Sequence, residues 1–293
     1  SDALSGYAGY MESDDDITDN FFYIRNSNPI ALYELSFIEP LQSDIADENG
    51  VVTTSGIYFD DLEEVSLSIL GKEYIILGAQ RTSTLTGINV NSIKLKLLAD
   101  ATGGTLLEGE TRMYEIAGRP YTVTVTFVDS DECKFSVNEE ATNKLKRGDS
   151  YIFSDKNQIA LSKVLYQDYA GGIHSCTFYL GTRDYELRDD DITNTDQIHR
   201  LRAGADDIDG TNVIIEGSNS DTVSSINSIT VNMNAEDEYF VGQRQLLSDT
   251  IRAAGDEREL LFTNNWDIRL NRYNTATSTA TLEIGSLCHA LSN

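Results

Sequence analysis

The stretch Y-T-V-T-V-T-F-V, residues 121–128, alternates apolar and hydroxyl-bearing side chains without a break. A strand turns successive side chains to opposite faces, so Tyr121, Val123, Val125 and Phe127 fall on one side and Thr122, Thr124 and Thr126 on the other. Strict period two of this kind is the pattern of a strand with one face buried and one face wet. On its left, T-R-M-Y-E-I-A (111–117) ends at the turn Gly118-Arg119. On its right, C-K-F-S-V (133–137) follows the polar turn D-S-D-E (129–132). The three runs read as a meander.

The same pattern extends in both directions. I-A-L-S-K-V-L-Y-Q-D-Y (159–169) and I-H-S-C-T-F-Y-L-G (173–181) flank Gly171-Gly172 and read as a hairpin, followed by T-R-D-Y-E-L-R (182–188). Extended runs are also expected at 21–25, 31–37, 65–70, 72–77, 93–98, 211–217, 228–233, 260–263, 266–270 and 280–284. Between them, S-D-T-I-R-A-A-G (248–255) carries an N-cap candidate in Ser248 and a stop in Gly255, which predicts a short helix. The expected fold is mainly all-β: a multi-domain arrangement of β-sandwich or Ig-like units with one or two short helices. Gly103-Gly104 reads as a turn. With 99–105 and 189–196 as the least packed stretches, three consecutive domains are expected, at 1–104, 105–188 and 189–293.

Charge narrows the partners. The 293 residues hold 48 acidic and 22 basic side chains for a formal charge of −26, and residues 1–70 carry 15 Asp or Glu against the single base Arg25. A nucleic-acid binder needs a cationic surface to displace counterions, so nucleic acid is excluded as the expected partner. The acidic surface is suited to high salt, to divalent cations or to a basic partner. No window is apolar for long enough to span a membrane. The sequence starts at Ser1 with no basic-then-apolar leader, as a processed secreted chain or an excised domain would.

Candidate chemistry is sparse. His174, His199 and His289 have no G-x-S-x-G or H-E-x-x-H context, and no phosphate-binding G-x-x-x-x-G-K occurs. An enzyme is not expected. Forty-eight acids make pairs inevitable, so carboxylate pairs do not argue for a glycosidase. Cys133 shares parity with Phe135 and Val137, and Cys176 with Phe178 and Leu180. Both are expected in a core, with inert thiols favoured over a Cys133–Cys176 bridge.

The motif D-D-D-I-T occurs twice, at 14–18 and 189–193. The second copy precedes A-D-D-I-D-G-T-N-V-I-I-E (205–216), which has acids at positions three, five and twelve and glycine at six of an EF-hand-like loop. Ala205 stands at the first ligand position, and V-I-I reads as a strand instead of an exiting helix. A looser calcium site is the expectation, built from Asp189, Asp190, Asp191, Asp207 and Asp209 as oxygen ligands.

Four segments in order, L-G-K-E-Y-I-I-L (70–77), the run 107–129, L-Y-Q-D-Y-A-G-G-I-H-S-C-T-F-Y-L-G (165–181) and E-L-L-F-T-N-N-W-D-I (259–268), resemble archaeal S-layer-type surface proteins. The resemblance implies an exported β-rich protein at the cell surface or envelope that packs with copies of itself, and it implies no catalytic residues. The resulting expectation is an extracellular structural protein forming a lattice, tube or filament with acidic loops bridged by divalent cations. Y-A-G-Y (7–10) and F-F-Y (21–23) are candidates for an arm docking on a neighbour, 21–23 having a place in the chain's own core as its alternative. The rival reading is a cell-surface carbohydrate adhesin. Against it, Trp266 is the sole Trp and shares parity with Ile268 and Leu270, a core position.

Overall fold

The computed structural model describes residues 21–48, 50–69, 71–85, 87–116, 118–169, 171–194, 201–204, 206–253, 266–274 and 279–286. About 66% is strand and 4% helix, in several antiparallel sheets. The expected strand at 260–263, the internal stretch 195–200 with His199, and both ends of the chain, including the first D-D-D-I-T, Cys288 and His289, lie outside these residues.

The meander of 111–137 forms as its alternation dictates. β7 (Thr111–Ile116), β8 (Arg119–Val128) and β9 (Glu132–Val137) are neighbours in order, with β10 (Glu140–Ala141) and β11 (Leu145–Lys146) both paired to β9. Gly118 makes the β7–β8 turn at φ +77°, a conformation glycine adopts without a Cβ clash. Tyr121, Val123 and Val125 are buried as expected. A bulge between Val125 and Phe127 then breaks the alternation. An extra residue on one strand flips the faces that follow, so Val128 enters the core in place of Phe127, which instead lies under the Lys144 ammonium at 4.5 Å.

Facing this sheet is a second, in the order β12 (Ser150–Ile152), β13 (Gln158–Tyr166), β14 (His174–Gly181) and β6 (Thr102–Leu107). The hairpin β13–β14 turns at Gly171, φ +81°. Gly103 and Gly104, expected in a turn, lie within β6. The reason is space: a Cβ on Gly103 would meet the Phe178 carbonyl and the Tyr179 ring, and one on Gly104 would meet the Tyr114 hydroxyl at 2.7 Å. The two sheets enclose one core containing Leu106, Tyr121, Val123, Phe135, Leu161 and Phe178.

The rest of the chain builds a different body. Six strands run β17 (Asp206–Asp207), β16 (Leu201–Ala203), β15 (Arg183–Asp189), β5 (Gly87–Ala99), β4 (Lys72–Thr84) and β3 (Ser66–Ile69). A three-stranded sheet runs β18 (Thr211–Asn219), β19 (Val223–Asn234) and β2 (Pro29–Asp44). Two-stranded pairs β1 (Phe22–Ile24) with β20 (Tyr239–Val241) and β21 (Trp266–Asn274) with β22 (Thr279–Ser286), together with helix α1 (Leu247–Ala253), complete it. Their shared core joins Phe22, Phe59, Tyr74, Leu95, Leu187, Val213, Val231, Ile251 and Ile268. Residues 21–23, weighed above as a docking arm, thus contribute Phe22 to this chain's own core.

The buried side chains therefore group otherwise than in three consecutive segments. Residues from 22–99 and from 185–270 share one core, and 106–180 has its own. The cause lies in strand pairing, because β15 pairs with β5, with Arg183 opposite Ala99. That pairing makes the second sandwich an insert between two adjacent strands of the first body. At the crossing, the Thr182 amide donates to the Ala99 carbonyl at 2.9 Å. A Cβ on Gly181 would run into the Leu98 side chain and the Ala99 carbonyl. A small apolar contact of Leu77, Leu98 and Ala160, with Ala101 and Tyr179 against it, seats the insert on the first body.

Candidate functional site

The second D-D-D-I-T sits where β15 ends. Asp189 is 1% exposed. Its Oδ2 accepts the Ile215 amide of β18 at 2.8 Å, and its Oδ1 accepts the Asp191 amide at 2.9 Å. It thereby ties the six-stranded sheet to the three-stranded one. Asp190 Oδ1 accepts the Thr82 hydroxyl at 3.1 Å and faces Arg188 Nε at 2.8 Å. Asp191 Oδ1 accepts the Thr193 amide at 3.1 Å and its hydroxyl at 2.6 Å, closing a local turn.

Asp207 lies in β17, opposite Arg202 of β16, and pairs with that guanidinium at 2.8 Å. Arg202 in turn stands opposite Glu186 of β15, three residues short of Asp189. Asp209 is exposed in the turn that Gly210 completes at φ +66°. The run after it is strand β18, as the V-I-I pattern implied. Among the described residues, no group of three or more His, Cys, Asp or Glu is placed to hold a metal ion. Four of the five expected ligands have partners within the protein, and Asp209 faces water.

A further group of interacting charges lies elsewhere, in a cleft of about 560 Å³ between the two bodies. The 3-10 turn Asp60–Leu62 and its successors Glu63 and Glu64 supply one wall. The insert supplies Asp131, Arg147 and Lys163 on the other. Arg147 reaches across, donating to Asp60 Oδ1 at 2.7 Å and pairing with Glu63 Oε2 at 2.8 Å. Its guanidinium also lies 5.5 Å from the Tyr58 ring centroid, within cation–π range.

The Glu63 side chain is 12% exposed. Burial lifts its carboxyl above the ordinary range, because an ion in a low-dielectric site loses hydration; Arg147 pulls the other way and is outweighed. Next to it, Glu64 Oε1 accepts the Ser162 hydroxyl of β13 at 3.3 Å. Burial, reinforced by the neighbouring Glu64 carboxylate, pushes the Tyr179 phenol up to about 12. The sequence showed the acidic run D-D-L-E-E (60–64) and Arg147 at the end of the basic run K-L-K-R (144–147) but nothing that pairs them. A period-two pattern specifies which face a residue occupies and is silent on which body that face meets.

Cys133 and Cys176 are both fully buried, as their parity required, and they are bonded to each other, with Cα atoms 6.5 Å apart. This corrects the expectation of inert thiols. β9 and β14 lie in facing sheets of the insert, so two inward cysteines meet across its core. His174 stacks on Tyr166 at 4.4 Å and faces Glu108 Oε2 at 3.3 Å. Trp266 packs against the core of the first body, where Ile268 and Leu270 are buried. No helix among the described residues is long and apolar enough to cross a membrane. Comparison with known proteins found no matching family, no similar curated protein and no similar solved structure.

Proposed function

We propose that this chain is an extracellular structural protein that packs with copies of itself into a sheet, tube or filament. The observation that carries the reading is β2. This 16-residue strand pairs with β19 on one side, and among the described residues no strand pairs with its other edge. An open edge presents a row of backbone donors and acceptors, which is a ready template for a strand from a neighbour. Leu32, 67% exposed, and Ile38, 103% exposed, stand out along it. Ile38 belongs to a bulge: Leu41 is opposite Ile226 and Ser36 opposite Ser228, so four residues of β2 face the single Asn227.

The disulfide supports the compartment. Bridges of this kind persist in oxidising surroundings and are rare in reduced cytosol. The charge of −26 supports the cation dependence, since like-charged copies repel until their carboxylates are screened or bridged. Exposed acids such as Asp209, Asp44 and Glu39 are the groups that calcium or another divalent cation would bridge between neighbours.

Electron microscopy and sedimentation of the purified protein, with Ca²⁺ and with chelator, test the reading. Ordered assemblies in Ca²⁺ that dissolve in chelator are expected. Leu32→Lys with Ile38→Lys should abolish them while moving stability by no more than about 0.5 kcal/mol, as exposed substitutions do. A wild-type protein that stays monomeric under every ionic condition overturns the proposal.

A further inference from the structure

The sheet of β18, β19 and β2 carries apolar rows toward the core that stop abruptly at β2. Ile215, Ile229 and Leu35 form one row across the three strands, and Thr211, Met233 and Ala31 form another. The β18 and β19 members are buried. Leu35 and Ala31 pack against the same core but are only half-buried. Among the described residues no strand lies beyond them to extend the rows. One more strand at this edge would add a side chain to each row and cover the open flank of Leu35.

The edge also limits what such a strand is made of. Ala31–Ser36 runs in unbroken register with Ser228–Met233, while Pro29 and Pro40, which lack an amide hydrogen, fall outside that run. A short strand therefore suffices. Toward the core its side chains meet Leu35 and Ala31, and toward water they meet Glu34, whose carboxylate accepts the Ser36 hydroxyl at 2.8 Å. An added carboxylate is unfavourable on both faces, through lost hydration on the first and like charge on the second. The stretch A-L-S-G-Y-A-G-Y-M (3–11), which contains the Y-A-G-Y motif, has no charge and no proline, and it carries apolar side chains at both parities. Residues 12–20 separate it from β1 and reach about 30 Å when extended.

With β2 read as the assembly edge, on which this inference rests, we propose that the strand it accepts is the 3–11 stretch of a neighbouring copy. The giving stretch and the receiving edge are different surfaces, so the contact is head-to-tail and the array stays open. Two β2 edges paired about a two-fold axis would instead close a dimer and gather Glu34 and Glu39 of both copies along one seam. Residues 12–20 bring Glu12, Asp14, Asp15, Asp16 and Asp19 into the crossing between copies. Salt or a divalent cation screens them from the acidic acceptor, which gives the exchange its ionic dependence.

A synthetic peptide of residues 1–12 and the whole-chain variant Leu4→Asp with Tyr7→Asp, which charges both faces of the stretch, test this. In the variant, amide hydrogen exchange over 30–37 should slow several-fold as peptide is added, while peptides from β8 hold constant. A peptide carrying the same two substitutions should slow nothing. In Ca²⁺, sedimentation and electron microscopy should find the variant monomeric with the melting temperature of the wild-type monomer, and excess peptide should block wild-type assembly. Variant assemblies equal to the wild type's, with no peptide-dependent protection of 30–37, overturn the strand assignment and leave the self-packing reading in place. A wild type that never assembles, in a protein whose β2 the peptide protects, overturns self-packing and supports the strand match. Protection of 30–37 in dilute wild-type monomer that the variant lacks puts the stretch on its own chain's edge and overturns the exchange between copies.

Discussion

Asp189 shows how much one side chain can do when both of its oxygens are engaged by backbone. It accepts one amide from the opposing sheet and one from its own turn, in a setting with almost no water. Replacing it removes an acceptor from buried donors, and each donor so stranded costs on the order of 1–3 kcal/mol. Asp189→Ala should therefore lower stability by about 3 kcal/mol, and Asp189→Asn by somewhat less, because the amide keeps one acceptor and presents its NH₂ to the other donor. Urea titrations in Ca²⁺ and in chelator should give the same loss. A deficit confined to the calcium arm would mean that the carboxylate serves a metal instead.

At the scale of elements, the alternation of 121–128 was readable because one face is buried and the other wet, and the meander, the Gly171 hairpin and α1 followed from equally local rules. The short strands β10, β11, β12, β16, β17 and β20 escaped, and so did β6 and the disulfide. β6 looked like a turn because Gly103 and Gly104 are there to admit Tyr179 and Tyr114, partners that come from distant sequence. The bridge between β9 and β14 was missed, with inert thiols expected, for the same reason: parity sends both cysteines inward, and only the facing of the sheets brings them together. The candidate site was less legible still, since Arg147, Asp60 and Glu63 converge through the seating of one body on another. The bridge itself closes a span of 43 residues, for which chain entropy predicts a contribution of about 4 kcal/mol. Cys133→Ala with Cys176→Ala should weaken the insert by roughly that much. Limited proteolysis should then cut within 102–181 first, and reductant should produce the same pattern in the wild type; uniform cleavage across both bodies would contradict a local role.

For the whole molecule, the decisive feature is that the insert leaves and re-enters the first body through neighbouring strands. Ala99 and Arg183 are opposite each other in the sheet, so a short glycine-containing turn can replace 101–181 without displacing either strand. The shortened chain should keep β-type circular dichroism and a cooperative melting transition, and the excised 101–182 should do so alone with its disulfide formed. Failure of the first body to fold in this form would show that the insert is part of its stability. Success would leave Leu77 and Leu98 newly exposed, and lower solubility is expected for that reason.

The paired crossing also has a kinetic meaning. β5 and β15 are consecutive neighbours in the six-stranded sheet yet lie more than 80 residues apart along the chain, and distant pairings form slowly because loop closure must precede any gain. An insert that folds first, from contacts nearly all within itself, delivers Ala99 and Arg183 side by side. The long closure becomes a local one, and the insert acts as the splint on which the larger sheet is assembled.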